Sequence, residues 1–266
     1  PICDLLKMAL PAKFWTETVN EKSGKKEITI SAVRLYYFLQ LNGFRTLRDI
    51  NAVNTRYIQV TNNVVKQIKA KDVRRFVREW SEERCLNENV RNLIVNSMKF
   101  SETSLENLKE VELDFSNFTH NTQLFFFPNN NVEVTPKEII VHQRGDTAFN
   151  HYVWEENVLK HNFKPLPDMF KLTCLDKENN LYDIDVLDCK SSPIFGYVIN
   201  TSRLHWRKEM EERFEDNPEE AKAYAEKHRF CINGEGLTED EIREQKQNLA
   251  NKIFAIGYML HRFKSP

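Results

Sequence analysis

The sequence predicts an α+β fold, and three observations predict it. Residues 1–110 carry helical periodicity around one β-hairpin. Residues 111–191 turn to short β-branched and aromatic runs cut by Asn, Pro and Asp, which reads as a small mixed or antiparallel sheet. From Ser192 to Pro266 the helical pattern returns. These changes of character set three expected regions, 1–110, 111–191 and 192–266.

Taken in order, Ile28–Leu41 reads as a strand-to-helix passage or a helix, stopped at Asn42–Gly43. Tyr57–Val60 and Val64–Ile68 flank Thr61–Asn62–Asn63 and predict a tight hairpin, because Asn tolerates the left-handed backbone such turns need. Lys69–Arg84 is amphipathic: Val73, Phe76, Val77 and Trp80 fall at i, i+3, i+4 and i+7 and form its core stripe. Asn89–Phe100 predicts a further helix. Leu124–Phe127, Val132–Val134, Ile139–His142, Phe170–Leu175 and Tyr182–Leu187 read as strands, with a hairpin across Pro128–Asn131. Ser192–Pro193 is a cap followed by proline at the first helical position. Thr238 with Glu241 forms a capping box, after which Ile242, Leu249, Ile253, Ile256, Leu260 and Phe263 make an apolar stripe.

Composition excludes several functions. Over 266 residues, 38 Lys and Arg meet 39 Asp and Glu, so this is not a uniformly basic nucleic-acid binder. Only 7 glycines are present, and neither Gly-x-x-x-x-Gly-Lys-Ser/Thr nor Gly-x-Gly-x-x-Gly occurs, so glycine-cradled phosphate sites are not expected. The five cysteines have neither Cys-x-x-Cys nor zinc spacing and read as reduced thiols. There is no apolar run of the roughly 20 residues that a membrane span needs and no signal-peptide layout, so no membrane partner and a cytoplasmic location are expected. The start at Pro1 and the end at Pro266 read as cuts in a longer protein.

Charge is uneven along this nearly neutral chain. Between Arg34 and Arg78, ten Lys or Arg stand against two acids, Asp49 and Asp72. Lys71, Arg74, Arg75 and Arg78 repeat the spacing of the core stripe two positions earlier, about 200° around the helix and therefore opposite it. With Arg56, Lys66 and Lys69 they form the candidate nucleic-acid-binding set, an electrostatic footprint for phosphates without base specificity. The acids gather late, in Glu209, Glu211, Glu212, Glu215, Asp216, Glu219 and Glu220, and read as a solvated helical face paired with Arg207, Lys208 and Arg213.

Two acidic patterns offer an alternative, a metal-dependent nuclease or nucleotidyl transferase. Pro167–Asp168 with Asp188–Cys189–Lys190 matches a loose Pro-Asp…Asp-x-Lys pattern, in which acids hold magnesium and lysine stabilises developing charge. Asp183 and Asp185 alternate along a strand and place both carboxylates on one face. No serine elbow is present, the histidines fit no hydrolase spacing, and His205 and His261 read as core-edge residues. A further alternative is a structural interaction module that docks through the last helix's apolar stripe.

Three segments carry a resemblance. Leu124–Thr135, Tyr197–Glu209 and Asn251–Lys264 are similar to parts of the region that precedes the ATPase in phage- and poxvirus-type primase–helicases, the superfamily-three helicases. Phe14–Trp15 and Phe38–Phe44 resemble the start of that region, while Asn129–Asn131 stands where the family has Asn-Gly. The resemblance implies an accessory region acting on single-stranded or forked DNA, in a parent that forms a hexameric ring. Magnesium and ATP would belong to a motor beyond Pro266; none is expected in this chain, and no catalytic residue is carried over.

Overall fold

A computed structural model describes residues 13–19, 24, 26–48 and 56–263. The chain gathers into two units, 1–163 and 164–266. Helices and small sheets alternate in both, so the fold class is α+β as the patterning predicts.

The first unit opens with a hairpin of β1 (Trp15–Val19) and β2 (Lys26–Ile30), followed by α1 (Ala32–Leu41), capped by the Ser31 hydroxyl. Next come β3 (Phe44–Leu47), β4 (Arg56–Thr61) and β5 (Val64–Gln67), then α2 (Ala70–Glu83), α3 (Glu88–Asn96), a 3-10 turn at Met98–Phe100 and the short α4 (Glu102–Leu105). Strands β6 (Glu110–Val111), β7 (Gln123–Phe126), β8 (Asn130–Val134), β9 (Ile139–Gln143) and β10 (Val153–Trp154) complete it. The main sheet runs β10-β5-β4-β3-β6, antiparallel at its centre and parallel at both outer pairings. Strands β7, β8 and β9 form a separate antiparallel sheet.

The boundaries at 110/111 and 191/192 differ from the division at 163/164 because distant strands pair. Glu110–Val111 joins β3 and Val153–Trp154 joins β5, which ties residues 111–163 to the first unit. The second unit contains the hairpin of β11 (Phe170–Asp176) and β12 (Leu181–Val186), then α5 (Pro193–Ser202), a π-helical turn at Lys208–Glu212, α6 (Pro218–Lys227) and α7 (Glu239–Leu260). Ile184 of β12 shares a buried cluster with Phe195, Ile199 and Leu249, which fixes the hairpin on the helices.

The turn residues behave as their chemistry requires. Asn62 and Asn63 take φ of 49° and 69° and close the β4–β5 hairpin in the left-handed region. Asn63 is buried, and its amide donates to the Phe149 carbonyl at 2.7 Å. Gly43 follows α1 at φ 84°, and a Cβ there would lie 2.1 Å from the Val60 carbonyl oxygen. Gly43→Ala therefore combines left-handed strain with a backbone clash and is expected to cost more than about 2 kcal/mol. A urea midpoint unchanged from wild type would contradict this.

One core lies between the helices and the main sheet, built on Phe14, Phe38, Phe44 and Trp80 with Val73 and Val77 of α2. Ring centroids of Phe38 and Trp80 are 4.7 Å apart, and Phe76 packs on Phe44 at 5.0 Å. The four predicted stripe residues of α2 thus all face inward. The stripe of α7 behaves differently: Leu249 is fully buried and Ile242 and Ile253 half-buried, whereas Ile256 and Leu260 are exposed. The inward face includes Gln245, also fully buried, whose amide donates to the Ile232 carbonyl and accepts from the His205 N–H. A polar residue satisfied on both sides replaces the apolar one that periodicity demands.

The α7 capping box forms as expected. Thr238 and Glu241 exchange backbone hydrogen bonds, and Lys208 Nζ donates to both Glu241 oxygens at 2.7 and 2.9 Å. Lys208 and the Thr238 N–H hold the Glu241 carboxyl down to about 2, from 4.5. A depressed carboxyl stabilises the fold above its unfolded value and loses that contribution as pH falls through the folded one. The stability gap between wild type and Glu241→Gln is therefore expected to be full above pH 4.5 and to close towards pH 2. Thermal melts across that range check it; a gap independent of pH would overturn it.

Candidate nucleic-acid interface

The local sequence fixes how α2 presents its charge. Burial of Val73, Val77 and Trp80 rolls the helix so that Lys71, Arg74, Arg75 and Arg78 all stand exposed on the opposite side. Lys69, also exposed, is the N-cap: its backbone N–H donates to the Asp72 carboxylate at 2.9 Å. That bond, with Arg75 and Lys71 nearby, holds Asp72 below the usual carboxylate range.

Two of the four cations touch carboxylates of their own helix. Arg75 Nη2 meets Asp72 at 2.5 Å and Arg78 Nε lies 3.7 Å from Glu82, all with exposed or partly exposed side chains. Such i,i+3 and i,i+4 surface pairs contribute only about 0.2–0.5 kcal/mol each and are exchanged readily for a phosphate. Arg74 Nη2 reaches the Ser97 carbonyl at 3.5 Å, beside the 3-10 turn that carries exposed Lys99. Lys99 belongs to this neighbourhood only through the packing of that turn on α2. The last turns of α2 are acidic, with Glu79, Glu82 and Glu83 exposed, so the cationic stretch ends at Arg78.

Not all of the predicted residues converge. Cross-strand partners share a sheet face, so pairing Arg56 with Leu47 sets it beside Ile58, while Lys66, paired with Gln59, lies on the other face. Lys66 is moreover held by Glu155 at 3.1 Å. Arg56 therefore lies on the sheet face away from α2, whereas Lys66 takes the face that carries Phe44 of the α2-side core.

Of the acidic alternative's carboxylates, Asp168 is exposed, while Asp183, Asp185 and Asp188 are engaged elsewhere. Asp183 and Asp185 do share a face, and there they hold the Lys246 ammonium at 2.9 and 3.7 Å. Asp188 accepts from the Lys190 and Ser191 N–H groups and from the Ser191 hydroxyl, which ends the loop before α5 and lowers its carboxyl. Among the described residues no group of three His, Cys, Asp or Glu is placed to hold a metal.

Two further expectations are corrected. Glu209 is not solvated: its side chain is fully buried, ion-paired with Arg203 and accepting from the Tyr224 hydroxyl at 2.7 Å. Of its expected basic neighbours, Arg207 pairs with Glu211 at i+4, but Lys208 pairs with Glu241 and Arg213 with Glu235. The thiols Cys85 and Cys174 are exposed and Cys189 and Cys231 half-buried, all free; Cys3 lies outside the described residues. His205 is half-buried with Nε2 2.9 Å from Glu244, a core-edge position as expected. Among the described residues no helix is long and apolar enough to cross a membrane. No protein family, curated protein or solved structure matches the chain.

Proposed function

We propose that this chain is a DNA-engaging and assembly region of a replicative primase–helicase of a phage or mobile element, with NTP hydrolysis carried out elsewhere in a ring-forming parent. The observation that carries the reading is the single exposed face of α2 that holds Lys71, Arg74, Arg75 and Arg78. A helix with cations on its outer face and an aromatic core behind it is a rigid support for phosphates, since its backbone need not reorganise on binding. The exposed pairs to Asp72 and Glu82 fit a surface that meets phosphates reversibly.

The assembly part of the reading rests on a different surface. Phe254, Ile256, Met259 and Leu260 are exposed over the last turns of α7, with Met259 at 70%. Ile256, Met259 and Leu260 share one side of the helix, and exposed apolar patches of this kind mark interaction sites. The structural interaction module draws on the same observation.

Fluorescence anisotropy with single-stranded and forked DNA across a salt series tests the DNA role. With three to four phosphates engaged, log K is expected to fall against log salt with a slope of about −2 to −3 for a single strand. A slope near zero would overturn the proposal.

A further inference from the structure

A concavity of the first unit lies away from α2, at one end of the main sheet. It is a cleft of about 760 Å³ at the end of the sheet where α1 stops, lined by residues of α1, β3, β4, the β4–β5 turn and β6. By cross-strand pairing with Ile58, Arg45 lies on the face opposite the α2-facing core. The volume falls in the 300–1,000 Å³ range of small-ligand sites.

Its lining is chemically one-sided. Arg45 and Lys109 supply two cations, and none of the lining residues is acidic. Lys109 and Val111 line it at alternate positions, which turns the intervening Glu110 away. Arg45 Nη1 donates to the Gln40 and Phe44 carbonyls at 2.6 and 2.7 Å, which fixes the guanidinium while its Nε and Nη2 donors remain for a ligand. Burial lowers the pKa of that guanidinium from its usual value, the mark of a cation set into the protein and not on its rim.

The remaining polar groups are carboxamides. Asn42 Nδ2 donates to the Phe38 carbonyl and Gln59 Nε2 to the Asn42 carbonyl, which leaves both amide oxygens as acceptors. Tyr152 also lines the cleft, its backbone N–H held by the Asp114 carbonyl at 2.8 Å. A fixed guanidinium with a lysine beside it, amide acceptors and a tyrosine together suit an anion that also carries a flat ring with N–H groups.

We infer that this cleft binds a nucleotide, its phosphate against Arg45 and Lys109 and its base against the amides and Tyr152. The grip differs from a glycine-rich loop, in keeping with the scarcity of glycine. The nucleotide is either free or the terminal unit of a strand, and the inference stands whether or not α2 holds DNA.

Calorimetric titration of the whole chain with ATP and, separately, with a 5′-phosphorylated deoxydinucleotide tests it. Saturable binding by either is expected, and the one that binds names the source. Gln40→Glu and Lys109→Glu, both at positions with no side-chain role in the core, are each expected to weaken it at least about tenfold with an unchanged melting temperature. A variant with Lys71, Arg74, Arg75 and Arg78 all replaced by glutamate keeps this binding, so failure at one site is distinguished from failure at the other. No saturation by either ligand at about 1 mM, or affinities unaltered in both cleft variants, overturns the inference.

Discussion

Replacing Lys71, Arg74, Arg75 and Arg78 together by glutamate is expected to remove DNA binding by at least about 100-fold at low salt. The four side chains are exposed and none is needed by the core, so the variant should melt as wild type does. Each substitution removes one counterion-releasing contact and adds a repulsive charge, so the residual salt slope should approach zero. The single variants grade the effect. Lys71 and Arg74 have no carboxylate partner on α2, whereas Arg75 and Arg78 first have to leave Asp72 and Glu82, so reversal at 71 or 74 should cost more. Anisotropy titrations decide it: wild-type affinity in the quadruple variant would remove the DNA role from this helix.

The second large effect lies in the other unit. Arg203→Ala is expected to destabilise it by about 3–5 kcal/mol, because it leaves the Glu209 carboxylate buried without its cation. The side chains of Arg203 and Glu209 are 3% and 0% exposed, and Arg203 also stacks on Trp206 at 4.1 Å and donates to the His228 carbonyl. Gly234 packs against the Glu209 carboxylate, and the Tyr224 phenol is pushed up to about 12 by burial and by Glu209, so it stays a neutral donor. The double variant Arg203→Met with Glu209→Leu should recover much of the loss, since two apolar groups need no desolvation of charge. Urea unfolding of the single and double variants checks this. A loss in Arg203→Ala below about 1 kcal/mol would show that water reaches the carboxylate.

Much of the local structure is legible in residue order. Asn62–Asn63 announces the β4–β5 hairpin because few other residues accept two positive φ angles in a row. Ser192, Thr238 and Glu241 announce helix starts because their side chains satisfy N–H groups that the helix leaves open. The exposed α2 cations follow from the spacing of Val73, Val77 and Trp80 alone. Arg56 and Lys66 take opposite sheet faces, which proximity in sequence does not reveal.

Glu209 shows why the remainder was hidden. It sits in an acidic run with Glu211, Glu212 and Glu215, and nothing in that run distinguishes it until Arg203 and Tyr224 close around it. Gln245 breaks the α7 stripe for the same reason, since its two partners come from Ile232 and His205. The cleft beside Arg45 likewise draws on segments more than a hundred residues apart, from Gln40 to Tyr152.

By itself the amino-acid order determined many of the elements, with their caps and turns, and the outward face of α2, since these depend on interactions within a few residues. Tertiary structure alone decided where the two units divide, which charges are buried, and where a concave surface forms. Those outcomes depend on strands and helices meeting across long stretches of chain, and no local periodicity encodes which partner each will find.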